Sequence, residues 1–398
     1  MAAADGHART ADRADRGDAE RRPVSARELL LRAARMGTAE DDASLGGMEW
    51  PHVFALAERH RMIPLLHRHL ADAPLPAEVS AELRARNRDE VHRALRLAAE
   101  LRRLLAALGA AGIEVLAYKG PALAVQAYGD LSLRSFVDLD LLVRPGDVPR
   151  ALGVLDAQGY APALALSPAQ ERYFRRVDGD YPLVHRQTEL LVELHARVSS
   201  ERFCMPVETH GLMRRAQSVP VGGGAMRTLG DDDLLLVLCV HGAKHRWKRL
   251  EWLAAVAALL RGQRGDVATV LERATQARAR RTVLLGLSLA RRLLDAPLPP
   301  AVVREIEGDA ALSRLADEAV RRMFEETGDE GEDTAANLAF NLRARDGTMD
   351  RARYAGRWLF GPSPEDWRWA HLPDALFPLY RVLRPVRLLM RHGGRRGG

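Results

Sequence analysis

Lysine is nearly absent from this chain. Of 59 Lys and Arg residues among 398, the lysines are Lys119, Lys244 and Lys248, so arginine carries almost all the positive charge. A compact ammonium and a planar guanidinium are different phosphate ligands, and lysine kept in only two stretches marks both as candidate anion sites. The plain alternative is surface positions that escaped replacement. Cysteine is limited to Cys204 and Cys239, which form no motif and exclude a disulfide framework. Apolar runs such as Leu234 to Val240 fall far short of a membrane span, and the first two dozen residues hold no apolar signal segment. A reducing cytoplasm is the expected location.

Against 59 basic residues stand 53 acidic ones, a net charge of +6. Both signs are interspersed through most helical stretches, which argues against a nucleic-acid partner. The exception is the basic block Arg381 to Arg396. There Arg381, Arg384, Arg387 and Arg391 recur beside Leu383, Val386, Leu388 and Leu389, with Pro385 interrupting. It reads either as a helix packed on the body with its arginines in solvent, or as a segment touching an anionic surface. Glu325 to Asp333 reads as a solvated acidic loop and Gly222 to Gly224 as a hairpin turn. Neither has the flanks of a phosphate loop.

A chain of this length exceeds what one hydrophobic core usually supports. The expected organisation is a disordered tail (1–23), an N-terminal helical segment (24–112), an α/β core (113–230), a C-terminal helical domain (231–392) and a basic tail (393–398). Glu78 to Leu108 is amphipathic with a glycine stop at Gly109. Strands are expected over Ile113 to Tyr118, Asp138 to Val143, Pro182 to His185 and Leu190 to His195, and helices over Pro121 to Tyr128 and Asp147 to Gln158. The fold class is α+β, a small mixed sheet flanked by helical segments.

The most informative words are YKGPALAVQAY and VDLDLLV. Alternation along a strand puts Asp138 and Asp140 on one face, opposite Val137, Leu139, Leu141 and Val143. Two carboxylates on one face of a buried strand can converge on Mg2+, or they cap a turn or pair with arginines. Crowded carboxylates repel, so removing either is expected to spare the fold. Further on, His241, Lys244, His245 and Lys248 fall at i, i+3, i+4 and i+7 and so share one helical face. Gly242 stands where a zinc-binding HExxH helix needs glutamate, which leaves an anion-binding face or a half-buried packing helix. Arg134 can reach phosphates or carboxylates, or pair with Asp130 or Asp138.

Strand, Lys119-Gly120 turn, helix and DLDLLV strand in this order resemble the polymerase beta-type nucleotidyltransferase superfamily. The fuller wording, with LVELHAR at Leu191 to Arg197, HGAKH at His241 to His245, and DW, LP, LY and LRPVRLL between Pro364 and Met390, resembles a bacterial family of uncharacterised nucleotidyltransferases. Pro121 stands where the superfamily usually has serine or a second glycine, and Ala255 where family members often have aspartate. The resemblance implies that Asp138, Asp140 and Glu193 hold one or two Mg2+ ions and serve catalysis, with His195 orienting them. It implies that Lys119, Gly120, Arg134, His241, Lys244, His245 and Lys248 bind the NTP. The expected reaction moves a nucleoside monophosphate to an acceptor hydroxyl or phosphate, on a peptide natural product, saccharide or protein, and releases pyrophosphate. Alternatives are a metal-dependent sugar-nucleotide transferase and a catalytically degenerate nucleotide-binding protein.

Overall fold

A computed structural model describes residues 24–37, 45–325 and 334–393. The expected tails at 1–23 and 393–398, and the acidic run from Glu325 to Asp333, lie wholly or almost wholly outside the described residues. The order begins with helices α1 (Ala26–Ala34), α2 (Trp50–Arg59), α3 (Ile63–His69) and α4 (Ala77–Ala110). The α/β part follows as β1 (Val115–Ala117), α5 (Gly120–Tyr128), β2 (Asp138–Val143), α6 (Val148–Ala157), β3 (Tyr160–Pro162), α7 (Pro168–Val177), β4 (Asp180–His185) and β5 (Leu191–His195). After α8 (Thr209–Arg214) and the hairpin β6 (Gln217–Val221) and β7 (Gly224–Thr228) come α9 (Asp231–Lys244), α10 (Leu250–Arg261), α11 (Val267–Gln276) and α12 (Arg280–Leu294). The described chain closes with α13 (Pro300–Glu307), α14 (Ala310–Phe324), α15 (Thr334–Arg343), α16 (Thr348–Phe360), α17 (Pro364–Trp369) and α18 (Tyr380–Gly393).

The fold is α+β. Its main sheet has the order β1-β2-β5-β4-β3, with β2 and β5 parallel and the other pairs antiparallel. Leu139, Leu141 and Val143 of β2, with Val192 and Leu194 of β5, join the core that includes the Leu97, Leu101, Leu104 and Leu108 stripe of α4. The opposite sheet face sends Leu116, Tyr118 and Leu142 into a second core with α1 to α3 and the helices from α9 onward. The polar residues of β2 and β5 therefore look toward the α9 and α10 helices.

Gly109 does not stop α4, contrary to the sequence expectation. The stop is Gly112, at φ +69: its N–H donates to the Gly109 carbonyl, and that of Ile113 to Leu108, the paired bonds of a left-handed helix terminus. At the other end of the chain, α18 keeps Arg381 exposed and Leu388 buried but turns two of its arginines inward. Arg384 and Arg387 point inward onto the buried carboxylate of Asp366, while Val382, Val386, Leu389 and Met390 face outward. Among the described residues, no helix is long and apolar enough to cross a membrane.

His60 ties the N-terminal helices to α10. Its ring is fully buried, and Nδ1 accepts from the Leu250 N–H at 3.2 Å. Burial, aided by Arg59 and Arg249, pulls its pKa from 6.5 to about 4. The unfolded chain therefore takes up a proton first as pH falls, and stability rises with pH across that window. At about 1.36 kcal/mol per pH unit, His60 should cost roughly 3 kcal/mol between pH 6.5 and 4. Urea unfolding over that range should show the loss in the wild type and a flatter dependence in His60→Asn, whose Oδ1 can still accept from Leu250. Equal slopes would contradict the assignment.

Candidate active site

Register builds the centre of the site. On the parallel pair, Asp140 lies opposite Glu193 and Leu142 opposite His195; on the antiparallel pair, Asp180 lies opposite His195 and Pro182 opposite Glu193. Partners across a ladder share a face, so carboxylates from three strands surround one imidazole. His195 Nδ1 is 2.9 Å from Asp180 Oδ1, and Nε2 is 3.1 Å from Asp140 Oδ1 and 3.4 Å from Glu193 Oε2. Lys119 Nζ reaches the same Asp140 Oδ1 at 2.7 Å.

Burial disfavours an ionised Asp140, but Lys119 and His195 more than offset it and hold the carboxyl well below the usual range. Burial likewise opposes charge on His195, yet Asp180, Asp140 and Glu193 together raise its pKa well above 6.5. As an imidazolium both ring nitrogens donate, so His195 clasps the carboxylates. Asp138 behaves differently: burial and the neighbouring Asp140 raise its pKa. The two aspartates of one motif thus have opposite electrostatics.

Potential ligand atoms of Asp140, Glu193 and His195 lie within 4.8 Å of one another. Asp140 Oδ2 is buried and has no hydrogen-bond partner, a state that normally costs free energy. An anionic oxygen left bare beside a second carboxylate fits a divalent cation. Glu193 stays ionised, held low chiefly by its His195 hydrogen bond against the effect of burial.

Gly120 sits at φ +50, and a Cβ there would stand 3.3 Å from the Asp138 carbonyl. Glycine is needed for the turn to lie this close to the acidic strand. The turn delivers Lys119 onto Asp140. A cleft of about 400 Å³ opens above, lined by Lys119, Arg134, Asp138, Glu193, His195, His241, Lys244, His245 and Lys248 among others. Every expected site residue lines it except Gly120 and Asp140, which lie beneath.

The HGAKH face needs one correction. Helix α9 ends at Lys244, and Arg246 and Trp247 both take left-handed backbone, at φ 53 and 55. Lys248 reaches the cleft through this reversal and does not continue the helical face. Gly242 has its own explanation: a Cβ there would lie 2.5 Å from the Trp247 ring, so indole packing excludes the glutamate a zinc helix would need. His241 is kept neutral by burial first and by Lys119 next, and its ring meets Trp252 edge-on at 5.1 Å.

Arg134 pairs with neither Asp130 nor Asp138. Its Nη2 lies 3.7 Å from Oε2 of buried Glu251, while Oε1 takes Arg61 Nη1 at 3.4 Å; Asp130 instead caps the Ser132 N–H. Arg134 is 8% exposed, and its Nε and Nη1 have no hydrogen-bond partner. Sequence reasoning missed Asp180, Arg61, Glu251 and Trp252. For Asp180 a signal existed, since a strand begun two residues before Pro182 would place it beside His195.

A carboxylate pair on β2, a third carboxylate on its parallel neighbour β5, and a lysine-glycine turn thus meet in one place. The chain belongs to the family described as uncharacterised nucleotidyltransferase, whose model matches residues 46–295. The protein is accordingly a transferase of phosphorus-containing groups. No curated protein and no solved structure matches it significantly.

Proposed function

We propose that the protein transfers a nucleoside monophosphate from an NTP to an acceptor hydroxyl, using Mg2+ held by Asp140, Glu193 and Asp138. The supporting observation is the bare, buried Asp140 Oδ2 in register with Glu193. Bound there, Mg2+ would neutralise the triphosphate and stabilise the attacking and leaving oxygens.

The chain's own residues supply the rest. Glu193, ionised and half-buried, accepts the proton of the acceptor hydroxyl as its oxygen bonds to the α-phosphorus and the bond to pyrophosphate breaks. His195, fixed by Asp180, holds Asp140 and Glu193 in place. Arg134, with two unsatisfied buried nitrogens, and Lys244 bind phosphate oxygens by charge-assisted hydrogen bonds. In this reading residues 113–230 carry the carboxylates, while segment 24–112 lends Arg61 and segment 231–392 lends His241 to Trp252.

Incubating the protein with each NTP, Mg2+ and cell extract should release pyrophosphate and add a nucleotide mass to an acceptor. Nucleotide binding without release would favour a degenerate binder. If Lys244 contacts phosphate as a point charge, Lys244→Ala should weaken Mg·NTP binding by roughly 1.5–3 kcal/mol, with Lys244→Arg recovering only part. Arg86→Ala, on an exposed ion-pair cluster of α4, serves as the neutral control. Equal affinities in a calorimetric titration would reduce Lys244 to scaffold.

A further inference from the structure

A second chamber, about 650 Å³, adjoins the cleft and shares Asp180, Lys244 and His245 with it. Its size falls in the range of small-molecule sites, roughly 300–1,000 Å³. One wall comes from Phe174, Asp178, Arg202 and Phe203. The other comes from Asn337, Tyr354, Trp358, Glu365, Arg384 and Arg387, all beyond residue 295, where the family match ends. The cleft, by contrast, is built entirely from residues 61–252. The cleft and this second wall thus come from different parts of the chain.

Lys244 is committed to phosphate in the reading above, and the other charges of the chamber are matched within the protein. Arg202 binds Asp178 through Nε and Nη2 at 2.6 and 2.8 Å, and Arg384 and Arg387 both bind Asp366. Asp180 holds His195, and Glu365 is stabilised by Ser363 and Arg387 against the effect of burial. An ionic guest would bury a charge with no counter-charge left to meet it. A neutral guest with hydroxyls, each both donor and acceptor, can use the remaining capacity of the fixed carboxylates and guanidiniums between aromatic walls. At the shared mouth, Asp180 is separated from Glu193 only by the His195 ring.

Resting on the nucleotidyltransferase reading above, we propose that this chamber holds the acceptor and that the acceptor is a neutral, polyhydroxylated small molecule. One of its hydroxyls attacks the α-phosphorus at Glu193, its proton passing to the Glu193 carboxylate and pyrophosphate leaving. The test uses the full chain, Mg·ATP and the other Mg·NTPs, and a cell extract divided into three parts. These are a macromolecular retentate, low-mass material retained on ion exchangers, and low-mass material retained on neither. Pyrophosphate release should be stimulated by the unretained fraction. Asn337→Trp, which fills the chamber, should raise the half-saturating amount of that fraction by roughly tenfold or more while Mg·NTP affinity stays within about twofold. Asn337→Phe is a smaller intrusion that keeps the test informative if the larger one impairs folding. Stimulation confined to the retained or macromolecular fractions would overturn the proposal, as would variants that weaken Mg·NTP binding or change nothing. If Mg·NTP binds but no fraction stimulates release, the chamber assignment falls and the donor site stands; if no Mg·NTP binds, the underlying reading falls first.

Discussion

Asp140→Asn should abolish transfer and also destabilise the protein, whereas Asp138→Asn should lose activity with little or no cost in stability. Loss of a metal-binding carboxylate removes several kcal/mol of charge stabilisation, and about 4 kcal/mol corresponds to three orders of magnitude in rate. The stability contrast comes from the surroundings. Asp140 neutralises Lys119 and His195, and breaking a buried pair by removing one partner costs about 3–5 kcal/mol. Asp138 is raised by burial and by Asp140, so neutralising it relieves repulsion. The sequence expectation that both substitutions spare the fold is thus revised for Asp140. Denaturant unfolding beside a pyrophosphate assay would check both halves. Equal stability of the two variants would contradict the electrostatics, and near wild-type turnover in either would remove it from the metal site.

Lys119→Met should lower stability without metal by a similar amount, about 3–5 kcal/mol, and Mg2+ should restore more stability to the variant than to the wild type. In the proposed site Lys119 and a cation both serve Asp140, so with the ammonium gone the carboxylate has a larger unmet need. A ligand that binds only the folded state stabilises it by RT ln(1 + [L]/Kd), about 2.7 kcal/mol at a hundredfold excess. Melting curves with and without Mg2+ decide the point: equal shifts in both proteins would place the metal away from Asp140.

Short-range pattern accounts for what the sequence reveals of this site. The period of a strand puts Asp138 with Asp140 and Glu193 with His195, and the glycine turn and HGAKH helix are contiguous words. Asp180 stayed hidden because Gly179 and Pro182 carry turn signals, although Pro182 sits within β4, between β3 and β5. Arg61 and Glu251 come from helix ends 190 residues apart, and no local period reports such a meeting. The reversal at Arg246 and Trp247 was equally silent, since neither residue type favours left-handed backbone. In α18 the helical spacing was readable but its direction was not. The buried Asp366 that draws Arg384 and Arg387 inward lies in another element.

In the proposed mechanism Asp140 and Glu193 hold a divalent cation required for NTP turnover. The most direct measurement titrates Mn2+, followed by electron paramagnetic resonance, into the wild type and into Asp140→Asn and Glu193→Gln, with a non-hydrolysable NTP analogue present. Bound, immobilised Mn2+ in the wild type, lost together with pyrophosphate release in both variants, is the predicted result. Undiminished Mn2+ binding in both variants, or pyrophosphate release by the wild type without any divalent cation, would contradict it.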